Sequence, residues 1–148
     1  MTGNRLRERR KLLWILLGLT VAFIWGNSLM PASVSGAISE FVKDLLRGLL
    51  GKMDDDESHG LVRKLAHGLE FAALGAELWL LRCIYGWSFS TPVVSGLCVS
   101  LLDETIQLFV PGRNGAIRDV WIDMGGFAFG VLALSIVMII LNRKRSEP

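Results

Sequence analysis

Cysteine is almost missing from this chain. Cys83 and Cys98 are the whole supply, and both fall inside apolar runs, so they read as buried free thiols. Two such thiols build no disulfide framework, and with only two histidines no zinc-site spacing can be assembled. The acidic run Asp54-Asp55-Asp56-Glu57 lacks the alternating ligand positions of an EF-hand loop and reads as a linker. Residue spacing therefore calls for no metal and no cofactor. An excess of one charge is lacking too, the net being +2. The basic residues that do cluster, Arg5, Arg7, Arg9, Arg10 and Lys11 and then Arg143, Lys144 and Arg145, abut the first and last apolar runs. That placement sets membrane orientation and argues against a nucleic-acid surface. With 148 residues there is also no room for a separate soluble catalytic module.

What the chain has in quantity is hydrophobic surface: 51% of residues, with mean hydropathy +0.45. Four segments, about 12–30, 65–85, 91–110 and 120–141, each approach the ~20 residues that cross a hydrocarbon core. Backbone groups in lipid must be paired within their own segment, so an all-α membrane protein with four transmembrane helices is expected. Trp14, Trp25, Tyr85, Trp87 and Trp121 fall near the proposed ends, where aromatic belts belong. Both basic clusters place their terminus in the cytoplasm, which turns 31–64 and the Pro111 loop outward. The N-terminus loosely fits a signal peptide, but its apolar run is longer than a usual h-region and a retained helix is favoured. In the outer segment Ile38, Phe41, Val42, Leu45, Leu46, Leu49 and Leu50 recur at helical spacing opposite Glu40, Lys43, Asp44 and Arg47. This predicts an amphipathic helix over about 37–50.

The polar residues inside the apolar runs stand out most. Asp103 and Glu104 are adjacent, with Gln107 one turn on, and each carboxylate costs about 2.5 kcal/mol or more to place in lipid. Arg63, His67, Glu70, Leu74 and Glu77 follow spacings of four and three and share one stripe of the second span. Asp119, Asp123, Gly126 and Gly130 form a stripe on the fourth, its Gly-x-x-x-Gly surface suited to close helix packing. In the expected topology His67, Glu70, Asp103, Glu104, Gln107, Arg113, Arg118, Asp119 and Asp123 all lie at the outer ends of their helices. Three helices and one loop would then share one polar pocket, with Glu77 deeper and paired by default with Arg82 or another helix.

Helix packing alone gains only about 0.6 kcal/mol per polar contact and seldom needs six ionisable groups at one depth, which favours a ligand or substrate site. The carboxylates with His67 could act as general acid and base, and Arg113 and Arg118 could grip an anionic group. His67 with the carboxylates could also hold a divalent cation, although no standard motif is present.

The order Lys64-Leu65-Ala66-His67 with Glu70-Phe71, then Asp103-Glu104-Thr105-Ile106-Gln107-Leu108-Phe109-Val110-Pro111-Gly112-Arg113, then Arg118-Asp119-Val120 and Gly125-Gly126 with Gly130, resembles the VanZ-like membrane proteins. The resemblance covers roughly residues 10–141, and the Asp-Glu-x-x-Gln-x-x-x-Pro-Gly-Arg stretch is its most specific part. It departs where many relatives have Tyr after the His, here Glu70 or Phe71, and where Asn is common before the paired glycines, here Asp123. The resemblance implies a multi-pass protein of the bacterial cytoplasmic membrane, and its founding member gives low-level teicoplanin resistance. The partners implied are membrane lipids and a lipid-linked cell-wall component or glycopeptide; an oligomer is compatible. The expected working set is His67, Asp103 and Glu104 for proton chemistry, with Lys64, Gln107, Arg113, Arg118, Asp119 and Asp123 binding the ligand. Two further classes stay open, a small intramembrane hydrolase or transferase acting on a lipid-linked substrate, and a proton-coupled transport component using Glu70 and Glu77.

Overall fold

A computed structural model describes residues 3–34, 55–113 and 115–146. Among them there is no strand. Four helices follow one another: α1 (Gly3–Ser28), α2 (Asp55–Tyr85), α3 (Ser90–Gln107) and α4 (Ile117–Ser146), with a short helical turn at 32–34. The amphipathic helix expected over 37–50 lies outside the described residues. At 1.5 Å per residue α2 and α4 are about 45 Å long and α3 about 27 Å.

The ends of these helices have local causes. Gly86, at φ +69°, terminates α2 as an αL cap, its amide and that of Trp87 both reaching the Arg82 carbonyl. The chain restarts as α3 with Pro92 in the first turn, where a missing N–H leaves no bond unmade. At the far end Val110-Pro111-Gly112-Arg113 forms a β-turn closed by Arg113 N–H to the Val110 carbonyl (3.1 Å). Pro at the second position and a glycine of φ +75° at the third make it type II. Helix α3 thus stops at Gln107, short of the apolar run's end at Val110. Helix α2, in contrast, begins at Asp55 and takes in most of the acidic run read as a linker. Acidic residues favour a helix start because they face the positive end of its dipole.

Two of the helices have apolar stretches long enough to cross a membrane, Leu6–Ser28 in α1 and Ile117–Lys144 in α4. This corrects the expectation of four. In α2 and α3 the polar residues lower the hydropathy, although Asp103, Glu104 and Gln107 are themselves buried among helices. The distribution of side chains is inverted relative to a water-soluble bundle. Leu19, Phe129, Leu132 and Trp121 point outward, Trp121 with 75% of its surface exposed, while Asp103 is 0% and Asp123 1% exposed. Cys83 and Cys98 are free but exposed on this surface, which corrects the reading of buried thiols.

Helices α2 and α4 pack most closely. A Cβ at Gly126 would strike the Gly68 backbone, one at Gly130 the Ala72 carbonyl, and one at Gly75 the Phe127 carbonyl. Small residues on both helices let the backbones touch. Helix α1 runs antiparallel to α2, with Asn27 opposite Glu70, Thr20 opposite Glu77 and Trp14 opposite Tyr85. An apolar cluster of Ile24, Phe71, Leu74, Leu78 and Phe127 fills the middle of the bundle. At one end Trp14, Tyr85 and Trp87 form an aromatic group, with the Arg10 guanidinium 5.1 Å from the Tyr85 ring. The polar residues gather at the other.

Candidate functional site

The glycine contact that draws α4 onto α2 also sets the chemistry. His67 immediately precedes Gly68, and Asp123 lies one turn before Gly126, so clamping the two backbones together brings imidazole and carboxylate side by side. His67 Nδ1 lies 3.7 Å from Asp123 Oδ1 and 3.9 Å from Asp103 Oδ2 of α3. All three side chains are mostly or fully withdrawn from the surface.

Both carboxylates accept further hydrogen bonds. Ser100 Oγ donates to Asp123 Oδ2 at 2.7 Å, leaving Oδ1 toward His67. The Gln107 amide donates to Asp103 Oδ2 at 2.9 Å and to Ser28 Oγ of α1 at 3.1 Å. Asp103 Oδ1 and Gln107 Oε1 are buried without a hydrogen-bond partner. His67, Asp103 and Asp123 each offer one ligand atom, all within 4.8 Å of one another, so this trio could hold a metal ion.

Beside the trio a cavity of about 200 Å³ opens, lined by Lys64, His67, Glu104, Gln107, Asp119, Ile122 and Asp123. Glu104, next to Asp103 in sequence, points to a different neighbour, accepting the Ala116 amide on Oε2 at 2.7 Å. Its carboxylate thereby sits at the amino end of α4, where the helix dipole favours an anion. Carboxylates outnumber Lys64 around the cavity, an arrangement suited to binding a cation or moving protons near His67.

A family model described as VanZ/LLP1 matches residues 13–140. The chain belongs to the VanZ/LLP1 family. Neither the curated proteins nor the solved structures give a match. The span-length helices α1 and α4 agree with a VanZ/LLP1 membrane protein.

The most specific VanZ-like stretch, Asp103 to Arg113, acquires a physical reading in this fold. Its Asp, Glu and Gln face three targets: the His67 trio, the start of α4, and Ser28 with Asp103. Its Pro-Gly turn docks on the end of α1, the Ala32 amide reaching the Pro111 carbonyl (3.4 Å) and Gly112 packing against Ala32 with little space for a side chain. Arg113 then points inward, 7% exposed, donating Nε–H to the Met30 carbonyl (3.1 Å) and Nη2–H to the Asn27 carbonyl (2.9 Å). It caps the end of α1, sharing the Asn27 carbonyl with the Met30 amide. Arg113 does not line the cavity, and neither does Arg118, which is exposed.

The α2 stripe divides in the VanZ/LLP1 chain as well. His67 turns to α3 and α4, whereas Glu70 and Glu77 turn to α1. Asn27 Nδ2 donates to Glu70 Oε1 at 2.6 Å, and Thr20 Oγ1 to Glu77 Oε1 at 2.8 Å. Of the two partners expected for Glu77, the other helix takes it; the Arg82 guanidinium lies 4.4 Å from the Trp79 ring.

Sequence reasoning passed over Ser28, Ser100 and Asn27, and with them the whole contribution of α1. Signals were present. Ser100 lies one turn before Asp103 and Glu104 on the same face, and Asn27-Ser28 is a polar pair closing an otherwise apolar run.

Proposed function

We propose that this VanZ/LLP1 protein is a multi-pass protein of the bacterial cytoplasmic membrane, with both termini in the cytoplasm. Its polar cavity opens to the outer leaflet and binds or modifies a surface lipid or cell-wall component, lowering susceptibility to teicoplanin. The observation that carries this reading is the cavity lined by Lys64, His67, Glu104, Gln107, Asp119 and Asp123, at one end of a bundle whose flanks are apolar. Polar groups gathered there would reach an amphiphile's headgroup while its tail lies along the exposed side chains of α4. Lys64 supplies the attraction for an anionic headgroup, and Asp119 and Gln107 offer acceptors for its hydroxyls or amides. The basic clusters at the two ends support the orientation.

Susceptibility decides the matter. In a host lacking the protein, wild type is expected to raise the teicoplanin concentration that stops growth, and Lys64→Ala and Asp119→Asn to abolish the increase at equal protein level. No protection by wild type, or full protection by both variants, overturns the proposal. Orientation is checked with Arg118→Cys in a background where Cys83 and Cys98 are replaced by Ala. A membrane-impermeant maleimide should label it in intact cells, and protection there inverts the topology.

A second reading, a small hydrolase or transferase on a lipid-linked substrate, is favoured by the imidazole held between two carboxylates. It requires Asp103→Asn or Asp123→Asn to abolish the phenotype while the protein still accumulates. A proton path from Glu70 to Glu77 has less support, because buried Ile24 and Leu74 occupy the register between those two pairs. Such a path would also call for an oligomer.

A further inference from the structure

We propose that His67, Asp103 and Asp123 bind one divalent transition-metal cation, of the Zn²⁺ or Mn²⁺ kind. The three groups come from α2, α3 and α4, and their ligand atoms all lie within 4.8 Å of one another. The separations themselves point to an ion. At 3.7 and 3.9 Å, His67 Nδ1 is too far from the two carboxylates for a hydrogen bond. Two ligands each about 2.1 Å from a shared ion lie about 3.0 to 4.2 Å apart, depending on the angle between them.

The surroundings fit a ligand set better than an internal ion-pair network. Ser100 fixes Asp123 through Oδ2 and frees Oδ1, the oxygen nearest His67; Gln107 bonds Asp103 at Oδ2, the oxygen 3.9 Å from His67, and Asp103 Oδ1 is buried with no hydrogen-bond partner. The anchoring of Asp123 by Ser100 is how metal sites orient their carboxylates.

A second observation, independent of the carboxylates, comes from Gln107. Its amide nitrogen is spent on Asp103 and Ser28, which leaves Oε1 buried, unpartnered and on a side chain that lines the cavity. A buried carbonyl oxygen without a donor is costly, and a bound cation or its water would satisfy it. Two carboxylates this close, out of water, also need positive charge, which a dication provides. One imidazole with oxygen ligands selects Zn²⁺, Mn²⁺ or Fe²⁺ over Ca²⁺, and the open cavity side leaves a position for water or an anionic headgroup. The site does not depend on the lipid reading, since metal binding is measured on the protein alone.

The test uses the full chain in detergent, stripped with EDTA, then titrated with Mn²⁺ and followed by electron paramagnetic resonance. One Mn²⁺ per chain, displaced by Zn²⁺ and carrying nitrogen coupling from an imidazole, is the expected result. His67→Gln should abolish the nitrogen coupling and weaken binding at least about tenfold, as should Asp123→Asn. Glu77→Gln, which alters a partly buried carboxylate bonded to Thr20, should bind as wild type. Should Asp123→Asn fail to fold, His67→Gln at the cavity rim carries the test. Absence of saturable Mn²⁺ and Zn²⁺ binding to wild type, or binding and coupling unchanged in His67→Gln, overturns the site.

Discussion

Neighbouring glycines on α4 should respond in opposite ways to the same substitution. Gly125 faces open space, so a Cβ there meets nothing within 4 Å, whereas a Cβ on Gly126 would enter the Gly68 backbone. The atoms struck are main chain, which no rotamer change can remove, so α2 and α4 must part. Gly125→Ala gains helix propensity and should stabilise by about 0.5 to 1 kcal/mol. Gly126→Ala has the same gain but adds overpacking, and a net loss of about 1 to 3 kcal/mol is expected. The two variants should therefore differ by about 1.5 to 4 kcal/mol, roughly 12- to 700-fold in the unfolding equilibrium constant. Reversible unfolding in mixed micelles measures both. Because α2 carries His67 and α4 carries Asp123, Gly126→Ala should also weaken whatever binds between them, and Gly125→Ala should not. Equal stability of the two proteins would refute the backbone contact and the explanation of how the site is assembled.

Arg113→Ala should lower stability by about 3 kcal/mol in the same assay, since two charge-assisted bonds to the Asn27 and Met30 carbonyls are lost. Arg113→Lys should not restore it, because a point ammonium cannot span both acceptors as the guanidinium fork does. Ser100→Ala strips Asp123 Oδ2 of its buried donor and should cost about 1 to 3 kcal/mol, visible as a lower unfolding midpoint. A double-mutant cycle of Thr20→Val and Glu77→Gln should give a coupling of about 1 kcal/mol, and additivity of the two would remove this α1–α2 bond from the account.

Much of the architecture can be read along the chain. Apolar runs and Gly86 mark where helices lie and where α2 ends, and the Pro111-Gly112 pair marks the turn after α3. The convergence of His67, Asp103, Gln107 and Asp123 at one end of the bundle is likewise visible in helical spacing. The spacing misjudged individual partners. Arg113 looks like a cationic hook in a loop, yet it is turned inward against α1, because the type II turn fixes the direction its side chain takes. Asp103 and Glu104 look like a pair, but adjacent helical residues point about 100° apart, so each serves a different contact.

The sequence by itself determined that the chain is helical, that its apolar surface exceeds what a small soluble core can hide, and that its ionisable residues concentrate at one level. Those properties depend on composition and on periodicities of a few residues. Tertiary structure alone decided that Gly68 meets Gly126, that Ser28 and Ser100 hold the carboxylates, and that Lys64 and Asp119 face the cavity while Arg113 and Arg118 do not. These outcomes depend on how helices distant in sequence rotate and slide against one another. That rotation is set by close packing of small residues, whose effect appears only when both surfaces are in place.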